Sequence, residues 1–188
     1  PDDQETYDTV SASVSVTVTQ GLPHIAEAPT AATIVYGQTL ADAVLTGGLA
    51  TVSADSSEPV AGHFEFAAPA TQPDAGSRDY TVVFLPDRDA EWQQVSTLVS
   101  VTTDKATPTV YTWPSATSLT WGQSLVDSSL SGGSAQTPGT FSFSYMDTPL
   151  AMGENLVEGR FTPDDSDNWN SFTGSIFVTM TKADPTSV

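Results

Sequence analysis

Apolar and hydroxyl-bearing residues alternate with a period of two along several short stretches of the chain. The clearest stretch is Val14-Ser15-Val16-Thr17-Val18, and the alternation returns at positions 99–101 and 176–180. Because successive side chains of a β-strand point to opposite faces, this period predicts strands with one apolar and one wet face. The valine, isoleucine and threonine residues in these stretches also favour a pleated, half-buried surface.

Further short strands are predicted in both halves of the chain, with turn residues between them. They fall at 33–36, 64–66 and 79–84, and again at 118–121, 141–145 and 156–161. Gly-Gly, Pro-Gly and Pro-Asp dipeptides separate them and are typical of turns. The apolar spacing at 40–45 and 125–130 predicts one helical or 3₁₀ turn and no longer helix. The chain is therefore predicted to be all-β.

The two halves are copies of one repeat, because matching residues recur at constant intervals. Trp121 follows Tyr36 by 85 positions, within a shared aromatic-Gly-Gln triplet. After the Gly-Gly pairs the interval is 77, at which Trp169 follows Trp92. The shorter interval places an insertion of eight residues in a polar stretch of the first repeat, as expected for a lengthened surface loop.

This register divides the chain into three parts. Residues 21–105 and 106–188 are predicted to be full repeats, and residues 1–20 the last strand of a preceding repeat. Each full repeat is expected to form a small Ig-like β-sandwich. A β-grasp arrangement, with the short helical turn packed across a sheet, is the alternative. The orphan strand near 10–19 needs a partner, so we expect it to pair with a sheet of its own chain or of another copy.

The joint between the repeats is predicted to be short and partly stiff. The segment 103–108 runs directly into the second repeat and ends at Pro108. Proline fixes its own φ and restricts the residue before it. The sequence therefore predicts a semi-extended rod of modules rather than units on a flexible tether.

Charge and composition narrow the range of partners. The 23 acidic and 5 basic residues give a formal charge of −18, which argues against nucleic acid and anionic membrane surfaces as partners. Cysteine is absent, which removes disulfides, thiolate metal sites and cysteine nucleophiles. The apolar runs are too short to span a membrane, and the two histidines, His24 and His63, show no catalytic pattern. The chain is predicted not to be an enzyme.

The acidic turn of the second repeat is the one segment with metal-ligand character. Asp164, Asp165, Asp167 and Asn168 could supply several of the six to eight oxygens that calcium takes. The spacing lacks the glycine and distal glutamate of an EF-hand loop, so no metal site is predicted and calcium stays an alternative. The preferred interpretation is a solvated turn in which aspartate caps local N–H groups.

Several aromatic residues recur in register and invite two interpretations. Tyr7, Trp92 and Trp169 occupy one repeat position and are predicted to plug the end of each sandwich, although they could stack on sugars. Trp121 takes the place of Tyr36 and is also predicted to be structural. Trp113 stands where the first repeat has Ala28, so it is the candidate for an exposed ligand-binding residue.

The matched motifs resemble a known group of bacterial repeats. They are the aromatic-Gly-Gln triplets, the Gly-Gly pairs, Pro86-Asp87 with Trp92, Pro163-Asp164 with Trp169, and the closing Thr181-Lys182-Ala183. In this order they resemble the Ig-like and MBG-type tandem repeats of large bacterial surface proteins and adhesins. The likeness covers nearly the whole chain, although the first repeat departs from it through its insertion and Glu91. It implies a spacer or adhesive role outside the cell and no catalysis.

Two functions follow from the sequence. The first is a structural spacer or stalk repeat of a bacterial cell-surface or secreted protein, whose partners are the neighbouring repeats of the same chain. The alternative is a carbohydrate- or protein-binding module attached to an extracellular enzyme or adhesin, with Trp113 at its site. Neither predicts a cofactor, a nucleic-acid partner or membrane insertion, and strand-mediated self-association is a further expectation.

Overall fold

The computed structural model describes residues 11–184, which form two β-modules with the same order of elements. Each module has a four-stranded sheet and two short antiparallel ribbons. The strands of each sheet come from one predicted repeat only. The limits predicted for the repeats remain predictions, since residues 1–10 and 185–188 lie outside the described residues.

The first module contains eight strands and one short helical turn. In chain order they are β1 His24–Glu27, β2 Thr30–Ala31, β3 Ile34–Val35, the 3₁₀ turn Leu40–Asp42, β4 Leu45–Thr46, β5 Leu49–Thr51, β6 Gly62–Phe66, β7 Gly76–Pro86 and β8 Val95–Asp104. The sheet has the order β3-β8-β7-β6, and the ribbons are β1-β5 and β2-β4. Long β7 and β8 pair antiparallel in the middle, whereas β3 lies parallel to β8.

The second module repeats this arrangement. Its elements are β9 Val110–Thr112, β10 Ser115–Ala116, β11 Leu119–Thr120, the 3₁₀ turn Leu125–Asp127, β12 Leu130–Ser131, β13 Ser134–Ala135, β14 Gly139–Phe143, β15 Gly153–Pro163 and β16 Phe172–Thr181. The sheet has the order β11-β16-β15-β14, and the ribbons are β9-β13 and β10-β12. Strand β11 lies parallel to β16, as β3 does to β8.

Each module encloses its own small apolar core between two layers. In the first module Val82, Val99 and Val101 point inward from the sheet and pack with Ile34 of β3 and with Leu40 from the 3₁₀ turn of the opposite layer. Intervening residues such as Leu98 face solvent, as the period of two predicts. A helix does not form the second layer, since the ribbons and a three-residue 3₁₀ turn make it up. The all-β sandwich prediction is confirmed, and the β-grasp alternative is not.

The short helical turn begins with a reciprocal pair of hydrogen bonds. The backbone N–H and the hydroxyl of Thr39 donate to Oδ2 of Asp42 at 2.8 and 2.9 Å, and the Asp42 N–H donates back to the Thr39 carbonyl. Ser124 and Asp127 repeat the arrangement in the second module. Hydrogen bonds from the Thr39 backbone and side chain hold the pKa of Asp42 below its ordinary value. The turn places Leu40 and Leu125 in their cores.

The segment before the first module does not form the predicted strand. Residues 11–20 belong to no strand, and Val14, Val16 and Val18 are 84, 78 and 89% exposed. The prediction that this strand pairs with a sheet of its own chain is therefore wrong for these residues. Alternation supplies an amphipathic strand, but pairing also needs a free edge within reach. Pairing with a second copy stays a prediction.

Candidate functional site at the joint between the modules

The connection between the modules is fixed to the second module by main-chain hydrogen bonds. The Ala106 N–H donates to the Asn168 carbonyl at 3.0 Å, and the Asn170 N–H donates to the Ala106 carbonyl at 2.8 Å. Gly21 makes the same pair of bonds with Glu91 and Gln93 at the start of the first module. The first residue of each module is therefore held by that module's own tryptophan-bearing turn, which in the second module is residues 164–169.

Asn168 connects this turn to the first module. Its Oδ1 accepts a hydrogen bond of 2.8 Å from the Ala75 N–H, next to the start of β7. Its Nδ2 donates to Oδ2 of Asp165 at 3.0 Å within the turn. Because an amide both accepts and donates, Asn168 can bind the Ala75 N–H of the first module and the Asp165 carboxylate of its own module at the same time. The first module has Glu91 at the corresponding position, so the sequence alone did not single out Asn168 for this contact.

An aromatic pair adds apolar contact across the same joint. Tyr36 follows β3 in the first module, and its ring meets the Trp169 ring with centroids 5.6 Å apart and planes at 78°. Edge-to-face pairs of this kind contribute about 0.5–1.5 kcal/mol beyond the area that they bury. Both side chains are half-buried. Trp169, predicted to plug its own sandwich, thus contacts the neighbouring module, and its plug role stays a prediction.

Charged groups surround the aromatic and amide contacts. Nζ of Lys105, just after β8, donates to the Ser166 carbonyl at 2.7 Å. Arg78 pairs with Asp74 at 3.4 Å, an exposed ion pair that contributes little by itself. A shallow cavity of about 370 Å³ lies between these groups and is also lined by Asp165, Asp167 and Asn168. Two of the five basic residues of the chain therefore lie where acidic side chains of both modules meet.

The calcium candidates are placed in this same turn, but they do not converge. Asp165 accepts from the Asn168 backbone at 3.3 Å as well as from its side chain, which is the capping role predicted for the turn. Asp164 and Asp167 are exposed. Within residues 11–184, no group of three or more His, Cys, Asp or Glu side chains is arranged to hold a metal ion. Calcium binding by this turn stays an alternative hypothesis.

Trp113, the candidate ligand-binding residue, was expected to be exposed, but it is half-buried and packs against its own module. Its ring lies against Gly159 and Gly174, which pair with each other across β15 and β16. It also meets the Phe141 ring, with centroids 5.5 Å apart. The first module has Ala28, Val82 and Thr97 at the three corresponding positions, so a large residue on one layer is matched by two glycines on the other. Ligand binding by Trp113 stays a prediction.

Trp92 and Trp121 differ sharply in their surroundings. Trp92 packs on the cluster of Ala50, Val60 and Phe84, as the plug interpretation predicts. Trp121 is 61% exposed, so it does not belong to the core of its own module, and the prediction that it is structural there is wrong. Its counterpart Tyr36 is half-buried, because the second module covers it. The remaining member of the aromatic series, Tyr7, lies outside the described residues.

Comparisons with known proteins add little to this geometry. No protein-family model matches the chain, and no curated protein sequence matches it. Among solved structures, the EC1-4 fragment of Drosophila N-cadherin shares 12% identity over 85% of this chain, with a TM-score of 0.27; the match spans 50% of that fragment. The fibronectin(III)-like modules of Clostridium thermocellum CbhA share 14% identity over 86% of this chain and 95% of theirs, with a TM-score of 0.23. At such scores neither likeness indicates a function.

The fold and the joint together define the class of molecule. The chain is a pair of β-sandwich modules in tandem, connected by a short segment and by side-chain contacts between consecutive units. Among residues 11–184, no helix is long and apolar enough to cross a membrane. His24 and His63 are both exposed, on β1 and β6.

Proposed function

We propose that the chain is part of a spacer or stalk of an extracellular bacterial protein, in which contacts at each joint hold consecutive modules at a defined angle. The observation that carries this proposal is the joint itself, where Asn168, Trp169 and Lys105 connect one module to the next. A spacer must resist bending, and bending is resisted by contacts lateral to the connecting segment rather than by the segment alone. The absence of cysteine, the acidic composition and the resemblance to MBG-type surface repeats support an extracellular setting.

Three kinds of contact combine at this joint. The Ala75–Asn168 hydrogen bond is directional, the Tyr36–Trp169 pair is apolar, and the Lys105–Ser166 bond ties the connecting segment down. Inter-domain contacts of modest size leave domain motion as the default. The three contacts together restrict rotation about the connection more than any one of them alone, so the joint favours one orientation.

Distance measurements between spin labels test this proposal directly. Because the chain has no cysteine, Leu98→Cys and Leu156→Cys place one label on the exposed outer face of each sheet. Pulsed electron spin resonance then reports the distribution of distances between the modules. We expect a single narrow distribution in the parent chain, and a broad one when Tyr36→Ala and Asn168→Ala are introduced together. Tyr145→Ala, an exposed tyrosine outside the joint, is the matched control and should leave the distribution narrow.

The result that would overturn the proposal is equally clear. A broad distribution in the parent chain would mean that the contacts do not hold the modules. A narrow distribution that survives both joint substitutions would mean that neither the aromatic pair nor the Asn168 hydrogen bond sets the angle.

A further inference from the structure

The far end of the second module carries an exposed apolar face. Trp121 is 61% exposed, Met146 49% and Met152 44%. Trp121 and Met146 border a groove of about 410 Å³ that Leu150 and Met180 also line. Exposed apolar patches of this kind mark interaction sites more often than they mark idle surface, and methionine adapts its shape to a partner.

In the first module the corresponding face is in contact with the tryptophan-bearing turn of the second module. Trp121 stands at the position of Tyr36, Met152 at that of Ala75 and Lys182 at that of Lys105. In the first module these three positions receive the tryptophan-bearing turn of the second module through a ring, a backbone N–H and a lysine Nζ. Within residues 11–184, the second module thus presents an equivalent set of positions that are exposed.

We propose that the exposed face formed by Trp121, Met146 and Met152, which we call the Trp121 face, binds the tryptophan-bearing turn of a further repeat of the same kind. The joint described above is the precedent within this chain, and the new contact continues it by one unit. The inference rests on the proposed spacer function and extends it, because it names the surface of the second module that binds the next module.

The shape of the face suits such an occupant, and Lys182 suits its charge, whereas Asp147 lines the groove where the first module has Ala70. The turn of the second module is acidic, with Asp164, Asp165 and Asp167, and that of the first carries Asp87, Asp89 and Glu91. In a chain of charge −18, exposed Lys182 offers the cation that the turn of a further repeat would need, as Lys105 does at the existing joint. The two methionines replace the smaller Pro69 and Ala75 of the first module, so the free face has more apolar surface for a tryptophan ring than the occupied one.

Such a contact is heterologous, because the surface on one end of a module meets a different surface on the other end. Contacts of this type add units in an open row instead of closing into a dimer. Within one chain the tether raises the effective concentration of the next turn to the millimolar range, so even a weak contact is populated. Between free chains the same contact would be weak.

Cysteine labelling measures whether the face becomes covered. The protein is residues 1–182 followed directly by a second copy of residues 106–188, so that Lys182 precedes the added module as Lys105 precedes Ala106. A single Met152→Cys, made only in the original module, is labelled with a thiol reagent in this three-module protein and in the 188-residue chain. Ala75→Cys reports the covered counterpart, and Tyr111→Cys reports an exposed position away from the face.

We expect Met152→Cys to react at least about tenfold more slowly in the three-module protein, which corresponds to a contact of about 1.4 kcal/mol or more. Adding Trp121→Ala should restore fast labelling, whereas Tyr111→Ala should not. An equal labelling rate with and without the third module, or protection that survives Trp121→Ala, would overturn the inference.

Circular dichroism and a labelling experiment between free chains cover the case in which the added module does not fold. If circular dichroism shows the added module to be unfolded, labelling of Met152→Cys is repeated on the 188-residue chain with unmodified chain added to about 1 mM, the effective concentration of a short tether. An unchanged rate there counts against the inference, and protection lost with Trp121→Ala supports it. A rigid Tyr36 joint combined with an uncovered Trp121 face would leave the spacer function standing and remove this inference alone.

Discussion

Trp113 and Gly174 offer the sharpest test of how the second module is packed. A Cβ placed on Gly174 would collide with the Trp113 ring, and one placed on Gly159 would meet the same ring at 3.0 Å. The first module pairs Ala28 with Thr97 at the equivalent positions. Two substitutions, Trp113→Ala and Gly174→Thr, therefore convert this contact into the pair that the first module already has.

The magnitudes follow from burial and overlap. Replacing a buried tryptophan with alanine costs about 3–5 kcal/mol, and a half-buried one roughly half as much, so we expect about 2 kcal/mol for Trp113→Ala. Gly174→Thr alone should cost about 1–3 kcal/mol, because the ring must move to admit the new side chain. With Trp113 already replaced, the collision is gone, and threonine favours the strand over glycine by up to about 1 kcal/mol. The sign of the Gly174→Thr effect should therefore reverse.

Hydrogen exchange of backbone amides in urea can follow each module separately in the full chain. Val157 and Val178 report the core of the second module, and Val82 and Val101 report the first as an internal control. The four proteins of the double-mutant cycle should show a coupling free energy of about 2 kcal/mol in the second module and no change in the first.

Two results would refute this reasoning. A coupling below about 0.5 kcal/mol would mean that Trp113 and Gly174 do not constrain each other. If Trp113→Ala leaves the second module equally stable but abolishes saturable binding on a glycan array, the residue serves a ligand and not the core.

Three further predictions rest on single contacts. Hydrogen bonds from Thr39 lower the pKa of Asp42 in the folded chain. The stabilisation by the Asp42 carboxylate is therefore present above the unfolded pKa of about 3.9 and is lost as the pH falls through the folded pKa. The difference in urea midpoint between the parent chain and Asp42→Asn should shrink on acidification, and a constant difference would contradict this. Gly133→Ala should destabilise the second module by about 1 kcal/mol or more, because φ is +89° and a Cβ would lie 2.8 Å from Phe141, whereas Ser134→Ala beside it should cost less; equal losses in urea unfolding would argue against the turn. Calcium at about 1 mM should leave the Tm unchanged, since Asp165 is held by Asn168, and a rise of several degrees that disappears in Asp167→Asn would restore the calcium hypothesis.

The strands were predictable at the long periodic segments and also at 33–36 and 118–121, but the way the short strands pair was not. The alternation at 79–84 and 99–101 lies within β7 and β8, which form the centre of the first sheet. Strands β3 and β11 have two residues each and lie parallel to the last strand of their module. Nothing local specifies parallel pairing with a strand that follows some 60 to 70 positions later.

The aromatic residues show which contacts the repeat position of a residue predicts and which it does not. Repeat position correctly predicted that Trp92 packs on its own module, but it wrongly predicted a structural role for Trp121. Exposure at that position depends on whether another module covers it, which is not a property of the neighbouring residues. For Trp113 a signal did exist, since Gly159 and Gly174 interrupt two strand-forming segments. Glycine within a strand often marks the close approach of another group.

Residues 11–20 show the opposite case, in which a regular local pattern is present but the strand that it predicts does not form. Their valine and hydroxyl alternation is as regular as that of β8, yet they belong to no strand. An isolated strand has unsatisfied backbone groups and no partner for its apolar face, so its pattern alone cannot stabilise it.

The sequence by itself determined the repeat, the all-β class, the long central strands and the turns, because each depends on side-chain period or backbone preference over a few residues. Only the tertiary structure decided which strand lies beside which, that Trp113 covers a pair of glycines, and that Asn168 and Trp169 reach the neighbouring module. Those contacts join residues up to 133 positions apart, and their free energy depends on three-dimensional proximity, which no local pattern encodes.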